Sequence, residues 1–438
     1  MNITIFGTGY VGLVTGASLA NLGHTVLGVD IDEAKICDLN KGEIPFYEPG
    51  LKELVSKNCE KNRLSFSTNV QEGIQFGEAL FNCVGTPSKQ NGAADLGAVF
   101  SIAAEVAKCA QGYKVLINKS TVPPGTARKC QQLIRETNPQ LEIDLVSNPE
   151  FLKQGNAVYD FNHPDKIVVG ATSKKALEVL KRVYSGLLKT YIPFLEMDWE
   201  TAEMTKYANN AFLATKISFI NEIANICQVV GADVKEVAKA MGMDQRIGPK
   251  FLNAGIGYGG SCFSKDVQAL ISSIQEKGYT AKLLQEVDAL NERQKKQFVP
   301  FLLQKLREVQ GDTVTIWGVS FKPKTSDLRG APSLLLIQEL LAQGMTVKVY
   351  DPVAAEEARK IFDSRVHYCS SLEDSVSGSN LIILVTEWDE FRNINFNSLG
   401  PLMKSKMLFD GRNIYDPVIV HQEGFQYFGV GRGRNGSS

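Results

Sequence analysis

Two stretches of alternating strand and helix patterns, with long helical periodicity between them, predict an α/β chain. It reads as two Rossmann-like doubly wound domains joined by a long-helix central region. In the first stretch, 1 to about 193, short β-rich runs at 3–6, 25–29, 79–84, 114–118, 144–146 and 166–169 alternate with helical patterns. That is the pattern of βα units on a parallel sheet. From 198 to about 306 the periodicity is helical, over 200–230 and 281–306. A glycine-rich loop at 253–261 interrupts it, followed by a helix from about Lys265. From 311 to about 430 the βα alternation returns, with strands at 313–317, 346–350 and 380–385. The outer regions also resemble each other. NITIF, a turn, a helix and TVLGVD ending in Asp30 are matched by TVTIW, a longer turn, a helix and TVKVYD ending in Asp351. The expected divisions are 1–197, 198–306 and 307–430, with a disordered tail at 431–438.

Length and charge fit this organisation. A chain of 438 residues has room for two or three domains. Lys plus Arg total 47 against 48 Asp plus Glu, a net charge of −1, so no global field draws the chain to nucleic acid or an anionic membrane. No apolar run approaches the ~18 residues of a membrane span, and the opening MNITIFGTGYVG lacks the basic start of a signal peptide. The eight cysteines are scattered without a CxxC pair and the four histidines are dispersed. Neither a disulfide framework nor a metal site is expected, and reduced thiols in the cytoplasm are the default.

Three motifs carry chemistry. Gly7, Gly9 and Gly12, with Tyr10 and Val11 between them, form a GxGxxG that follows a strand and opens a helix, and Asp30 ends the next strand. Such glycines let backbone N–H groups meet a pyrophosphate, while Asp30 binds ribose hydroxyls. Asp32 and Glu33 repel a 2′-phosphate, which favours NAD over NADP, and Lys35 is a nearby cation that opposes this slightly. Cys262 follows a stretch rich in glycine (Gly257, Gly259, Gly260) and precedes Lys265 and Asp266. A thiol at a helix N-terminus, with a carboxylate one turn on, is a plausible catalytic pair. Lys206 and Asn210 stand four apart on a helix, either as a solvated face or as a buried polar seam. The segments at 120–126 and 148–152 end strands, where α/β enzymes place ligands, or serve only as turns.

Together GTGYVG, PFYEPGL (45–51), VGTP (84–87), STVPPGT (120–126), NPEFL (148–152), KYANNAF (206–212), GYGGSCFSKD (257–266), FKPKTSDLR (321–329) and DGRNIYDP (410–417) resemble, in this order, the UDP-glucose/GDP-mannose dehydrogenase family. The resemblance runs from Met1 to about Arg432. It implies NAD-dependent four-electron oxidation of a nucleotide sugar, UDP-glucose; the helix from about 200 to 230, whose apolar length exceeds what one small middle domain can cover, predicts a homodimer built on it. PFYEPGL and FLNAGIGYGG (251–260) favour that substrate over GDP-mannose. A silent nucleotide-sugar or NAD sensor is the reading from another class, and the presence of Cys262, Lys206 and Asp266 argues against it.

By the resemblance Cys262 is the nucleophile, Asp266 and Thr121 handle water and protons, Lys206 with Asn210 stabilises oxyanions, and Glu150 assists thioester hydrolysis. The cofactor would meet the GTGYVG turn, Asp30, Lys35, Thr86, Thr121, Gln154, Lys265 and Arg329. The sugar nucleotide would meet Glu150, Phe151, Leu152, Lys153, Lys206, Asn210, Phe251, Leu252, Asn253, Ala254, Gly255, Gly259, Lys322 and Arg412. Arg246 would reach the site of a neighbouring subunit. Many relatives carry a second glutamate where this chain has Gln154; an amide hydrogen-bonds but takes no acid/base role.

Overall fold

The computed structural model describes residues 1–433, arranged as two compact units. One comprises Met1–Asn210 with Gln268–Thr280; the other comprises Ala211–Val267 and the chain from Ala281 onward.

The first unit is built on an eight-stranded sheet. Its strands are β1 (Asn2–Phe6), β2 (Thr25–Val29), β3 (Leu64–Ser67), β4 (Ala79–Asn82), β5 (Lys114–Asn118), β6 (Ile143–Ser147), β7 (Ile167–Ala171) and β8 (Phe194–Met197), in the order β3-β2-β1-β4-β5-β6-β7-β8. Alternate residues serve opposite faces. Ile3, Ile5, Phe81, Val115 and Ile117 enter one core, and Phe6, Leu80 and Leu116 the other. Helices cover both faces, as a buried parallel sheet requires. The helix Tyr10–Asn21 is buried from Gly12 to Ala20, which explains its lack of a polar face. The sheet departs from the all-parallel expectation at one place, where β7 runs antiparallel to β6.

The second unit holds a six-stranded parallel sheet. Its strands are β9 (Thr313–Trp317), β10 (Thr346–Tyr350), β11 (His367–Tyr368), β12 (Leu381–Leu384), β13 (Met407–Asp410) and β14 (Gln426–Gly429), in the order β11-β10-β9-β12-β13-β14. Relative to its first strand, this repeats the order at the start of the other sheet and puts a topological switch point between β9 and β12. Sequence patterning does not reveal β3, β8, β11, β13 or β14, each of four residues or fewer; β4 and β12 are as short but lie in longer apolar runs, at 79–84 and 380–385. The helical stretch expected over 281–306 is two helices, Lys282–Lys296 and Val299–Glu308, since Pro300 fits the first turn of a helix but not its interior.

The helix Trp199–Val230 starts in the first unit and continues into the second. The tail expected to be disordered from 431 is placed at its start. Val234 N–H donates to Gly431 O (2.9 Å), and the buried Arg432 Nε donates to Asp233 Oδ2 (3.0 Å). A partly buried ion pair therefore fixes a segment whose composition looks unstructured. The rest of that expectation, 434–438, lies outside the described residues.

The acids that end β2 and β10 have different fates. Asp30 Oδ2 accepts from Thr8 N–H (2.9 Å) and Lys35 Nζ (2.9 Å) and stays partly exposed. Asp351 is buried. Its carboxylate accepts from Val319 N–H (2.7 Å), Trp388 Nε1 (3.2 Å), Val353 N–H (2.9 Å) and Ala354 N–H (2.7 Å). Asp351→Asn turns one acceptor into a donor that faces other donors, at a cost of roughly 2–3 kcal/mol. A thermal melt should show Tm lowered by roughly 5–10 °C, and by less for Asp30→Asn; equal losses would contradict the different burial of the two acids.

Candidate active site

In the first unit the glycine turn separates packing from ligand approach. A Cβ on Gly12 would lie 1.8 Å from Gly7 O, and one on Gly7 (φ +88°) would lie 2.9 Å from Cys83 O. Both positions are therefore glycine because the fold demands it. A Cβ on Gly9 would meet nothing within 4 Å. Gly9 also precedes the helix Tyr10–Asn21 and donates no side-chain cap, which leaves that N-terminus to receive an anion. Such an open cradle, with Asp30 at the end of β2, fits a dinucleotide. Burial pushes the Asp30 carboxyl up, but the Lys35 ammonium and the amides of Thr8 and Asp32 outweigh this and hold it below its ordinary value. Val11 flanks the turn, half-buried.

Tyr10 points elsewhere. Its hydroxyl donates to Glu48 Oε2, and Glu48 also accepts from Gly155 N–H (2.6 Å) and Ala157 N–H (2.8 Å). Glu48, inside PFYEPGL, thus ties the GTGYVG turn to the far end of the loop after β6. That loop carries Glu150, Phe151, Leu152, Lys153 and Gln154. Its near end is held by Asn148, whose Nδ2 donates to Val168 O (2.8 Å).

Glu150 and Lys206 form a buried ion pair at 3.1 Å, with side chains only 7% and 5% exposed. Glu150 Oε2 also accepts from Leu152 N–H (2.5 Å), and Lys206 Nζ lies 5.2 Å from the centre of the Phe151 ring. Lys119 is buried nearby and donates to Asn148 Oδ1 (3.2 Å); burial pushes its ammonium down to about 8, against the pull of Glu150. Asn210 is buried four residues after Lys206, so the buried seam replaces the solvated-face alternative. Thr86 Oγ1 donates to Thr121 O (3.1 Å), joining the loops after β4 and β5. Lys153 is exposed and pairs with Asp160 (3.1 Å).

In the second unit the cysteine loop is held from several sides by buried amides. Asn221 Oδ1 accepts from Gly255 N–H (2.9 Å), and Gln294 Nε2 donates to Gly255 O (2.7 Å). Asn291 bonds both the N–H and the C=O of Tyr258 (2.9 and 3.1 Å). Arg412 Nη1 donates to Gly257 O (2.9 Å), so this arginine supports the loop wall. A Cβ on Gly259 would lie 2.4 Å from Gly330 O, and one on Gly260 would strike the Phe321 ring at 2.7 Å. Lys322 Nζ lies 5.4 Å from the centre of that ring.

Cys262 is exposed at the end of this loop, directly before the helix Phe263–Gln275, and Asp266 N–H donates to its carbonyl (2.8 Å). Lys265 Nζ pairs with the buried Asp266 (2.6 Å). Arg329 is held by Asp327 (2.6 Å), and its field reaches the Cys262 thiol. Phe251 adopts φ +64°, and its ring centre lies 6.3 Å from that of Phe263. Leu252, Ala254 and Gly255 are buried and Asn253 is exposed. Arg246 sits on an exposed turn, clasped by Asp244 (2.6 Å).

Comparison with known proteins fits the residues found in each unit. Residues 1–188, 200–293 and 315–417 match the NAD binding, central and UDP binding domains of one family. The chain belongs to the UDP-glucose/GDP-mannose dehydrogenase family. This dehydrogenase-family chain is 43% identical to the UDP-glucose 6-dehydrogenase YwqF of Bacillus subtilis, over 99% of its own length and 98% of that protein. It is 41% identical to the UDP-glucose 6-dehydrogenase of Pseudomonas aeruginosa, over 100% and 98%. A UDP-glucose dehydrogenase structure from Pyrobaculum islandicum superposes with TM-score 0.88 at 34% identity, covering 94% of each chain. The UDP-D-ManNAc dehydrogenase of Pyrococcus horikoshii gives 0.87 at 26%, covering 99% and 100%. The NAD-binding domain of the family thus spans the GTGYVG turn, and NAD is its cofactor.

Sequence reasoning on this dehydrogenase missed Glu48, Lys119, Glu203, Asn221, Asn291 and Gln294. A usable signal existed for the two asparagines and Gln294, which are polar positions within the buried faces of long helices. Among the described residues no group of His, Cys, Asp or Glu is placed to hold a metal ion, and no helix is long and apolar enough to cross a membrane. Gly9→Ala should leave the cofactor-free Tm within about 1 °C, because its Cβ meets no protein atom. It should weaken NAD binding at least about tenfold, ~1.4 kcal/mol, by titration calorimetry. Unchanged affinity would mean that the cofactor does not approach this backbone.

Proposed function

We propose that this chain oxidises UDP-glucose to UDP-glucuronate with two equivalents of NAD, through a thiohemiacetal and a thioester on Cys262. The observation that carries this is an exposed thiol at a helix N-terminus, on a glycine-walled loop, in a chain with both NAD- and UDP-binding domains. Identity above 40% to two proteins named UDP-glucose 6-dehydrogenase supports the choice of sugar.

NAD accepts one hydride in each of two oxidations. In the first, the C6 hydroxyl loses its proton to Asp266 through water, with Thr121 orienting the hydroxyl, and Lys206 with Asn210 stabilises the alkoxide charge. The Cys262 thiolate, favoured by the helix N-terminus and Arg329, then adds to the aldehyde. Loss of the second hydride and a proton from the thiohemiacetal gives the thioester. Water attacks it while Glu150 takes the proton, and the carboxylate leaves with Cys262 restored as thiol. Covalent capture keeps the aldehyde from escaping between steps. Lys322, Phe251, Leu252, Asn253, Ala254, Gly255 and Gly259 serve the sugar nucleotide, with Arg412 acting through the Gly257 carbonyl. The eight free thiols favour a reducing, cytoplasmic setting.

Two NADH per UDP-glucuronate in an absorbance assay is the expected result, with GDP-mannose and UDP-N-acetylmannosamine as competing substrates; a faster rate on either sugar would overturn the substrate assignment. Cys262→Ala should still bind UDP-glucose and NAD and pass the first oxidation slowly. From the 6-aldehyde it should form UDP-glucuronate at least ~1000-fold more slowly than the wild type, a loss of about 4 kcal/mol in the barrier. A wild-type rate would refute the covalent route.

The assembly we infer is a homodimer. Phe212, Phe219 and Ile226 recur every seven residues on the helix Trp199–Val230 and are exposed, as is Val229. That seam fits a second copy of the same helix, and Arg246 would then complete the partner's substrate site. Mixed dimers of Arg246→Ala and Cys262→Ala subunits should regain part of the activity lost by each. No recovery in verified heterodimers would place Arg246 at its own chain's site.

A further inference from the structure

We propose that Glu203 is a positioning residue for the oxidation, holding the Thr121 loop in register with the helix face that carries Lys206 and Asn210. The inference rests on the function proposed above. Glu203, Lys206 and Asn210 follow one another at intervals of three and four on the helix Trp199–Val230, so they share one face. All three are buried.

The Glu203 carboxylate accepts three hydrogen bonds from two other elements. Oε2 takes Gly125 N–H (2.7 Å), and Oε1 takes Ala127 N–H (2.9 Å) and Ser147 Oγ–H (3.0 Å). The first two donors belong to the N-terminus of the helix Thr126–Thr137, whose own cap residue, Gly125, supplies no side chain. Elsewhere in this chain Asp32, Asn69, Ser173 and Asp233 cap their own helices locally. Gly125 stands at φ +99°, where a serine or aspartate cap would be strained, so no local side chain serves this N-terminus. The carboxylate instead arrives from more than seventy residues away in sequence, one helical turn before Lys206.

The connection from β5 to that helix is fixed at its start by Ser120, whose N–H donates to Asn82 O (3.2 Å) and whose hydroxyl donates to Val84 O (2.6 Å). Glu203 fixes its end. Thr121 lies between the two anchors, and Ser120, Thr121, Ser147, Glu203 and Lys206 line one polar recess. The clamp therefore sets the distance between the Thr121 hydroxyl and the Lys206 ammonium, the two groups meant to act on the reacting oxygen. Burial pushes the Glu203 carboxyl up to about 7, with the Ala127 and Gly125 amides and Ser147 pulling the other way.

The test is Glu203→Gln, which keeps the shape but turns one acceptor into a donor facing a backbone N–H. Turnover of UDP-glucose, both KM values, Tm and the kinetic isotope effect with 6-deuterated UDP-glucose are measured beside the wild type and Ser147→Ala. We expect kcat to fall at least tenfold, both KM values to stay within about twofold, and the isotope effect to rise as hydride transfer becomes limiting. Ser147→Ala, which keeps both backbone bonds, should stay within about threefold of wild-type kcat. A lowered Tm with kcat and isotope effect unchanged would make Glu203 a structural cap only and overturn the proposal. If Glu203→Gln does not fold, Glu203→Asp is held to the same criteria, since its shorter carboxylate cannot span both amides. A wild-type protein inactive on UDP-glucose would overturn the functional reading itself; an active wild type with an unimpaired variant overturns only the role of Glu203.

Discussion

Two opposite charges buried 3.1 Å apart, Lys206 and Glu150, set the terms for the first unit. Moving an ammonium and a carboxylate out of water costs several kcal/mol each, and their mutual attraction offsets this only when the remaining donors and acceptors are satisfied. The surroundings do much of that work. Leu152 N–H bonds the second oxygen of Glu150, the Phe151 ring lies under the ammonium, and Lys119 adds a further positive charge. Every segment that supplies these groups must be held still, which makes the anchoring of loops, rather than the sheet itself, the demanding part of the structure.

Carboxylates reaching backbone amides provide that anchoring. Glu48 holds the end of the loop that bears Glu150, and Glu203 holds the end of the loop that bears Thr121. In the second unit neutral amides do the equivalent task, with Asn221, Asn291 and Gln294 gripping the strand of glycines before Cys262. An amide can both donate and accept, so these side chains grip N–H and C=O groups of the loop alike, which a carboxylate cannot do.

The two sheets show how one topology serves different ends. Both place an acid at the end of the second strand, and in each the acid binds the amide backbone that follows the first strand. Around Asp30 the turn is short and glycine-rich, and open space remains above Gly9. Around Asp351 the longer turn and Trp388 close over the carboxylate and turn a ligand-reading position into a structural one. The internal likeness in sequence is real at the level of strands, but the local ligand chemistry diverges.

The sequence by itself determined the central strands, the long helix from about 200 to 230, the GTGYVG turn, and the cysteine at the end of a glycine-rich loop. These features are local: alternation of period two, helical periodicity, and glycines that a tight turn requires all lie within a few consecutive residues. The short strand β13 and the antiparallel direction of β7 were not legible, because β13 lies in no longer apolar run and strand direction depends on the path of the connection. Only the tertiary structure decided the clamps. Glu48 reaches amides 107 and 109 residues away, and Glu203 reaches amides 78 and 76 residues away. Their partners are backbone N–H groups, which every residue except proline possesses, so no side chain in the sequence marks where those carboxylates land.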